Sequence, residues 1–179
     1  MKRIVFFLFI FFNFSLLKGE EIANSIEADK IEYLNLDGKI KAIGSVKIIQ
    51  NEYELNADEI SFNQKNNIIE GNGNITLKKI GGEKILASEI KLSSDLKDGI
   101  ILNPTLQTTE GVNISAAYAI RANGNSLILK KGIFSPCKVC SNKKNNLSWQ
   151  VKANRIIYDE NNQNIIYEDA RFELFGIPV

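Results

Sequence analysis

Five segments of this 179-residue chain repeat one pattern at a nearly constant interval, and nothing else in the sequence restricts its fold as strongly. They are Ile26-Glu27-Ala28-Asp29-Lys30-Ile31-Glu32-Tyr33, then Tyr53-Glu54-Leu55-Asn56-Ala57-Asp58-Glu59-Ile60-Ser61-Phe62, then Ile85-Leu86-Ala87-Ser88-Glu89-Ile90-Lys91-Leu92, the more divergent Val112-Asn113-Ile114-Ser115-Ala116, and Trp149-Gln150-Val151-Lys152-Ala153-Asn154-Arg155-Ile156-Ile157-Tyr158. The aligned alanines, 28, 57, 87, 116 and 153, are spaced by 29, 30, 29 and 37 residues. In three units a glycine follows the alanine by 16 residues, at Gly44, Gly73 and Gly132, with Val46, Ile75 and Phe134 two places later. The third unit has Asn103-Pro104 there instead. A period of this length marks a stacked architecture in which each unit is one supersecondary element that buries little alone.

Within each unit the apolar residues alternate, and Asn, Gly and Asp interrupt them at Asn35-Leu36-Asp37-Gly38, Asn63–Asn67, Ile80–Glu83, Asn123–Asn125 and Asp159–Asn162. Period-2 segments bounded by such residues read as strands and tight turns. The fold class is all-β, with no helix in the mature part. Leu55 and Ala57 share one side; after a two-residue polar step, Ile60 and Phe62 return to it. A phase change inside a strand implies a bulge or corner. A small alanine suits a corner with another strand packed over it, and the glycine suits a close approach or bulge in the return strand. Each unit is therefore an out-and-back strand pair, and stacking creates a continuous inner apolar face. Alternation alone favours a dry structural core over a ligand groove.

The first 19 residues differ from the rest. Met1-Lys2-Arg3 precedes an apolar run holding six of the ten phenylalanines and ending before Lys18-Gly19. A basic start, a short apolar stretch and a small residue are the layout of a secretory signal peptide, and the run is short for a spanning helix. We expect a signal peptide over 1–19 and one domain over 20–179. Removing Lys2, Arg3 and Lys18 leaves an exported, weakly acidic chain.

The inventory excludes several chemistries. There is no histidine, so neither a Ser-His-Asp nor a Cys-His nucleophile can form. Two cysteines cannot by themselves close a four-ligand zinc site. A net charge of +1 argues against a nucleic-acid partner. We expect no enzyme activity, no catalytic residue, no metal and no cofactor.

The longest repeat interval contains a polar insertion at about 135–148, with Cys137 and Cys140 in it. A thiol–disulfide catalyst needs a depressed thiolate pKa, usually from a helix N-terminus or nearby cations. Pro136 and the polar residues that follow offer no helix. A structural disulfide is expected instead, either between the two cysteines or to a cysteine outside this chain.

The Ala-Asp-x-Ile-x-Tyr/Phe units with a trailing Gly-x-Val/Ile, behind a signal peptide, resemble the OstA-like (organic solvent tolerance) domain. That domain occurs in periplasmic proteins of lipopolysaccharide transport and in the outer-membrane LPS-assembly protein. Ser135-Pro136-Cys137-Lys138-Val139-Cys140, Trp149–Ala153, Tyr167-Glu168-Asp169-Ala170-Arg171-Phe172 and Phe175-Gly176-Ile177-Pro178-Val179 resemble the end of the assembly protein's N-terminal periplasmic domain. In that family a β-barrel follows, and this sequence stops before one, as expected of a truncated or split gene product.

The resemblance implies an open, V-shaped antiparallel β-jelly roll that shields lipopolysaccharide acyl chains in the periplasm, at the outer membrane. The runner-up readings are a soluble bridging protein of the same pathway and a structural solenoid with a closed core. The implied groove residues are Ile26, Ala28, Ile31, Tyr33, Ile40, Ala42 and Val46, then Leu55, Ala57, Ile60, Phe62 and Ile75, and finally Ile85, Ile90, Phe134, Val151, Ile156 and Tyr158. The implied partners are lipopolysaccharide, a similar bridging protein paired at the edge strand 22–33, and the outer-membrane barrel with its plug lipoprotein. In a barrel-bearing version at least one of the two cysteines is expected to bond a barrel cysteine.

Overall fold

The computed structural model describes residues 24–34, 38–135 and 149–179; the expected signal peptide, Cys137 and Cys140 lie outside them. Fourteen strands form one antiparallel sheet, with no helix among the described residues. Two short strands, β1 (Ser25–Glu27) and β2 (Lys30–Leu34), lead into the long β3 (Lys39–Gln50), β4 (Tyr53–Asn63), β5 (Ile68–Lys79) and β6 (Lys84–Ser93). The middle of the chain is cut into β7 (Gly99–Leu102), β8 (Thr105–Gln107), β9 (Asn113–Ser115) and β10 (Tyr118–Ala122). Then follow β11 (Ser126–Ser135), β12 (Trp149–Asp159), β13 (Asn164–Leu174) and the two-residue β14 (Ile177–Pro178).

The long strands are shared between two limbs. In the first limb β1 pairs with the second half of β3, and pairing continues through β4, β5, β6, β8 and β9 to the end of β11, the start of β12 and the end of β13. In the second limb β2 pairs with the first half of β3, and β7 and β10 take the places of β8 and β9. The limbs meet at corners where the repeat's alanines and glycines fall. Between β3 and β4, Gly44 and Ser45 lie opposite Asp58 alone, and the register likewise shifts at Asn72/Ile75 between β5 and β6. One extra residue against its partner is a β-bulge, which bends the strand and increases its twist.

The corners also explain why Asp follows Ala in the first two units. Gly44 and Gly73 have φ of 78° and 73°. A Cβ on either would stand 2.3 Å from the carboxylate of Asp29 or Asp58. Asn74 donates to that same Asp58 carboxylate at 2.8 Å. Gly73→Ala is expected to lower stability by about 2 kcal/mol, because a left-handed backbone penalises any Cβ and Asp58 must move; urea denaturation checks this. Gly132 differs. It pairs with Ala153 without an extra residue, and the positive φ belongs to Lys131. Its Cβ would strike Ile156 Cδ1 at 2.5 Å, so this glycine makes room for a core side chain and forms no bulge. The sixteen-residue spacing therefore joins two structural roles.

Between the limbs, Leu55, Ile60, Ile75, Ile101, Leu106, Ile114, Leu129 and Ile156 are completely or almost completely buried. The phase change in β4 works as its sequence implies: Leu55, Ala57 and Ile60 are buried on one face and Phe62 packs against them.

Candidate functional site

The inner apolar face is the candidate site. Ala42, Val46, Leu55, Ala57, Ile60, Ile75, Ile85, Ile90, Ile156 and Tyr158 lie buried on it. Ala28, Phe62 and Phe134 pack against it half-buried. Ile40 lies opposite Phe62, and Val151 opposite Phe134, so both share that face, half-buried. Ile26, Ile31 and Tyr33 pair with Ile48, Ala42 and Ile40, which places them on the inner face too. Yet Ile31 and Tyr33 are 51% and 57% exposed, because no strand among the described residues covers β1 and β2 on their outer side.

At the opposite end β14 pairs with β13 at Glu173 and Leu174, yet apolar side chains stay exposed there as well. Phe134, Trp149, Tyr167 and Phe172 form an aromatic cluster with ring centroids 5.6–5.9 Å apart, Phe134 meeting Tyr167 edge to face. Burial pushes the Tyr167 hydroxyl up to about 12. Phe172 and Leu174, on β13, remain exposed. Of this cluster only Phe134 was expected on the inner face from the sequence; Trp149, Tyr167 and Phe172 were not, although Phe172 and Leu174 alternate. Sequence reasoning also passed over Leu77, Leu127 and Leu129, whose period-2 spacing from Ile75 and from one another was the available signal.

The middle of the interior is tight. Its cavity measures about 20 Å³ and is lined by Tyr53, Leu77, Ile85, Leu106, Arg121, Leu127 and Tyr158, among others. That is room for about one water molecule, not for an acyl chain.

Opposite the corners, the tips of the two limbs touch along a seam. Lys79, at the end of β5, pairs with Glu160 beyond β12 at 2.6 Å. Tyr158 donates its hydroxyl proton to Glu83. Tyr53 donates to the carbonyl of Gly124 at 3.1 Å, and the Arg121 guanidinium lies 5.1 Å from the centre of the Tyr53 ring. Arg121 also donates to the carbonyls of Leu96 and Gly124 at 2.9 and 2.8 Å. Burial lowers the pKa of Arg121 from its ordinary value, but a guanidinium stays cationic. Burial, reinforced by Glu83, pushes the Tyr158 hydroxyl above its ordinary value. The hydrogen bond to Glu160 holds the Lys79 ammonium above its own.

Among the described residues, no group of three His, Cys, Asp or Glu side chains is placed to hold a metal, and no helix is long and apolar enough to cross a membrane.

These features define a repeat-built β-jelly roll: two limbs around an apolar interior, with apolar side chains exposed at both ends of the stack. Residues 25–173 match the family model described as LptA/(LptD N-terminal domain) LPS transport protein, and the chain belongs to that family. It is 24% identical over 155 residues to the LPS-assembly protein LptD of Aliivibrio fischeri, covering 86% of this chain and 19% of that protein. Against LptD of Vibrio vulnificus it is 26% identical over 160 residues, again covering 86% and 19%. The chain thus spans about a fifth of the length of these curated relatives. Among solved structures it is similar to LptH, the LptA homologous periplasmic component of the lipopolysaccharide transport device from Pseudomonas aeruginosa, at 13% identity and a TM-score of 0.33 over 81% of each chain. The family expected from the Ala-Asp repeat and the C-terminal motifs is the family found.

Proposed function

We propose that this chain is an exported, periplasmic segment of a lipopolysaccharide conduit at the outer membrane, and that its work is passive shielding rather than catalysis. Acyl chains lie along the inner face while sugars and phosphates stay in water at the seam. Burial of a methylene contributes about 0.8 kcal/mol, so a twelve-carbon chain gains on the order of 9 kcal/mol at most. The inner face is a row of similar aliphatic side chains, along which a lipid slides without meeting one deep trap.

One observation carries this reading: among the described residues the inner face runs through the stack and ends in exposed apolar side chains at both extremities, Ile31 and Tyr33 at one and Phe172 and Leu174 at the other. A closed globule would cover both. A free strand edge offers unpaired N–H and C=O groups to a partner strand. The edge at 22–33 is thus the docking place for a similar bridging protein, whose inner face would continue this one. The opposite end faces the barrel and its plug lipoprotein in the assembly-protein architecture. There Cys137 or Cys140 would bond a barrel cysteine structurally, and non-reducing gels of Cys137→Ser and Cys140→Ser would show which.

Photo-cross-linking tests the proposal. A benzophenone side chain at Tyr33 or Phe172 should capture lipopolysaccharide, whereas one at Ser61, on the outer face, should not; equal capture at all three would sink the conduit. Docking has its own test. Along β1 successive N–H groups alternate in direction, so of Ile26→Pro and Glu27→Pro one removes an outward donor and the other a bond to β3. The first should abolish capture of the bridging partner with the fold intact, and full capture by both variants would exclude edge pairing. The tight cavity favours a second reading, a structural solenoid whose core never opens. Absence of lipid adducts at every inner position would select it.

A further inference from the structure

We infer that Lys79–Glu160, Glu83–Tyr158 and Tyr53–Gly124 form a side-chain latch that holds the seam shut, and that its release lets the two limbs part and admit an amphiphile bearing several acyl chains. The inference rests on the conduit proposed above and concerns how its interior is reached.

The hydrogen bonding of the two limbs supports it. The tips of the first limb are tied to each other through the backbone, Ile80 N–H donating to Glu52 at 2.8 Å. The tips of the second limb are tied likewise: Ser94 to Asn67 at 3.0 Å, Gly124 to Lys97 at 2.9 Å and Glu160 to Asn125 at 2.9 Å. Arg121 adds its bonds to Leu96 and Gly124 on the same side. Across the seam, among the described residues, no strand pairs with another and every polar contact uses a side chain. Each limb can therefore move as a unit about the corners, where the backbone already bends at Gly44, Gly73 and Lys131. Parting the tips breaks a few side-chain contacts and leaves the ladders whole.

The latch closes over the small interior cavity, with Tyr53, Lys79, Glu83, Tyr158 and Glu160 all lining its volume of about 20 Å³. Opening it is the direct way to make room beside Leu77, Ile85 and Leu127. The design also limits the cost of opening. Lys79 has a second carboxylate on its own limb, Glu52 at 3.8 Å, so its ammonium is not stranded when Glu160 withdraws.

The test uses the full chain carrying Cys137→Ser and Cys140→Ser. Spin labels at Ile80→Cys and Asn161→Cys, one on each side of the seam, report the separation of the tips. A benzophenone at Phe62 reports loading from micelles of rough lipopolysaccharide. Glu160→Gln combined with Tyr158→Phe should shift the label distances to longer values and speed loading about tenfold, the consequence of losing a charge-assisted hydrogen bond. Bridging Lys79→Cys to Glu160→Cys with a bismaleimide should abolish loading. Glu168→Gln, which breaks an exposed pair with Arg155 away from the seam, should change neither readout. Unchanged label distances in the weakened variant overturn the latch. Undiminished loading by the bridged protein overturns it as the gate, while leaving the conduit standing. No loading in any form, with label distances that do lengthen, removes the conduit and leaves the latch.

Discussion

Arg121→Met is expected to lower the free energy of unfolding by about 3 kcal/mol, read as a fall in the urea midpoint at unchanged m-value. Arg121 is buried and donates to two carbonyls in different turns, Leu96 and Gly124. Methionine keeps much of the volume and removes every donor. Gly124 still receives the Tyr53 hydroxyl, but the bond from Arg121 to Leu96 is lost without a replacement in the methionine side chain. Leaving a buried acceptor unmade costs about 1–3 kcal/mol, and loss of a charge-assisted bond adds to that. Arg121→Lys should fall between, since an ammonium lacks the planar fork that reaches both carbonyls. An Arg121→Met protein as stable as the parent would mean that water replaces the guanidinium in these turns.

Leu55→Ala should cost about 3–4 kcal/mol. Its side chain is fully buried between the limbs, next to the β4 corner, and truncation removes transfer free energy and leaves a cavity that a sheet braced on both sides cannot collapse. Ile31→Ala, also on the inner face but half exposed at the free edge, should cost under about 1 kcal/mol. The contrast measures where the inner face is core and where it is an uncovered end. Equal losses at the two positions would mean that something covers β2 in solution.

Much of this was legible beforehand, at particular residues. The corner beside Ala57 could be read from the phase change between Leu55-x-Ala57 and Ile60-x-Phe62, because a strand's side chains alternate and only a bulge shifts that alternation. Gly44 and Gly73 could be found from their spacing. Gly132 shared that spacing without sharing the role, since a fixed distance in sequence does not say whether a glycine serves φ or room for Ile156. The aromatic cluster at Trp149 and Phe172 was less visible, because its members come from strands that become neighbours only through pairing of β12 with β13.

The strands, the corners and the identity of the inner face were determined by the sequence alone, because each rests on a local period: two residues within a strand and about 29 between units. The seam was decided only by tertiary structure. Lys79 and Glu160 are 81 residues apart, and Tyr53 and Gly124 are 71. No period links them, since they meet only where hairpin tips of opposite limbs are brought together by the accumulated bend and twist of the stack. The same geometry sets the interior volume: alternation makes a face apolar, but the separation of the two limbs decides whether that face encloses a lipid or a single water molecule.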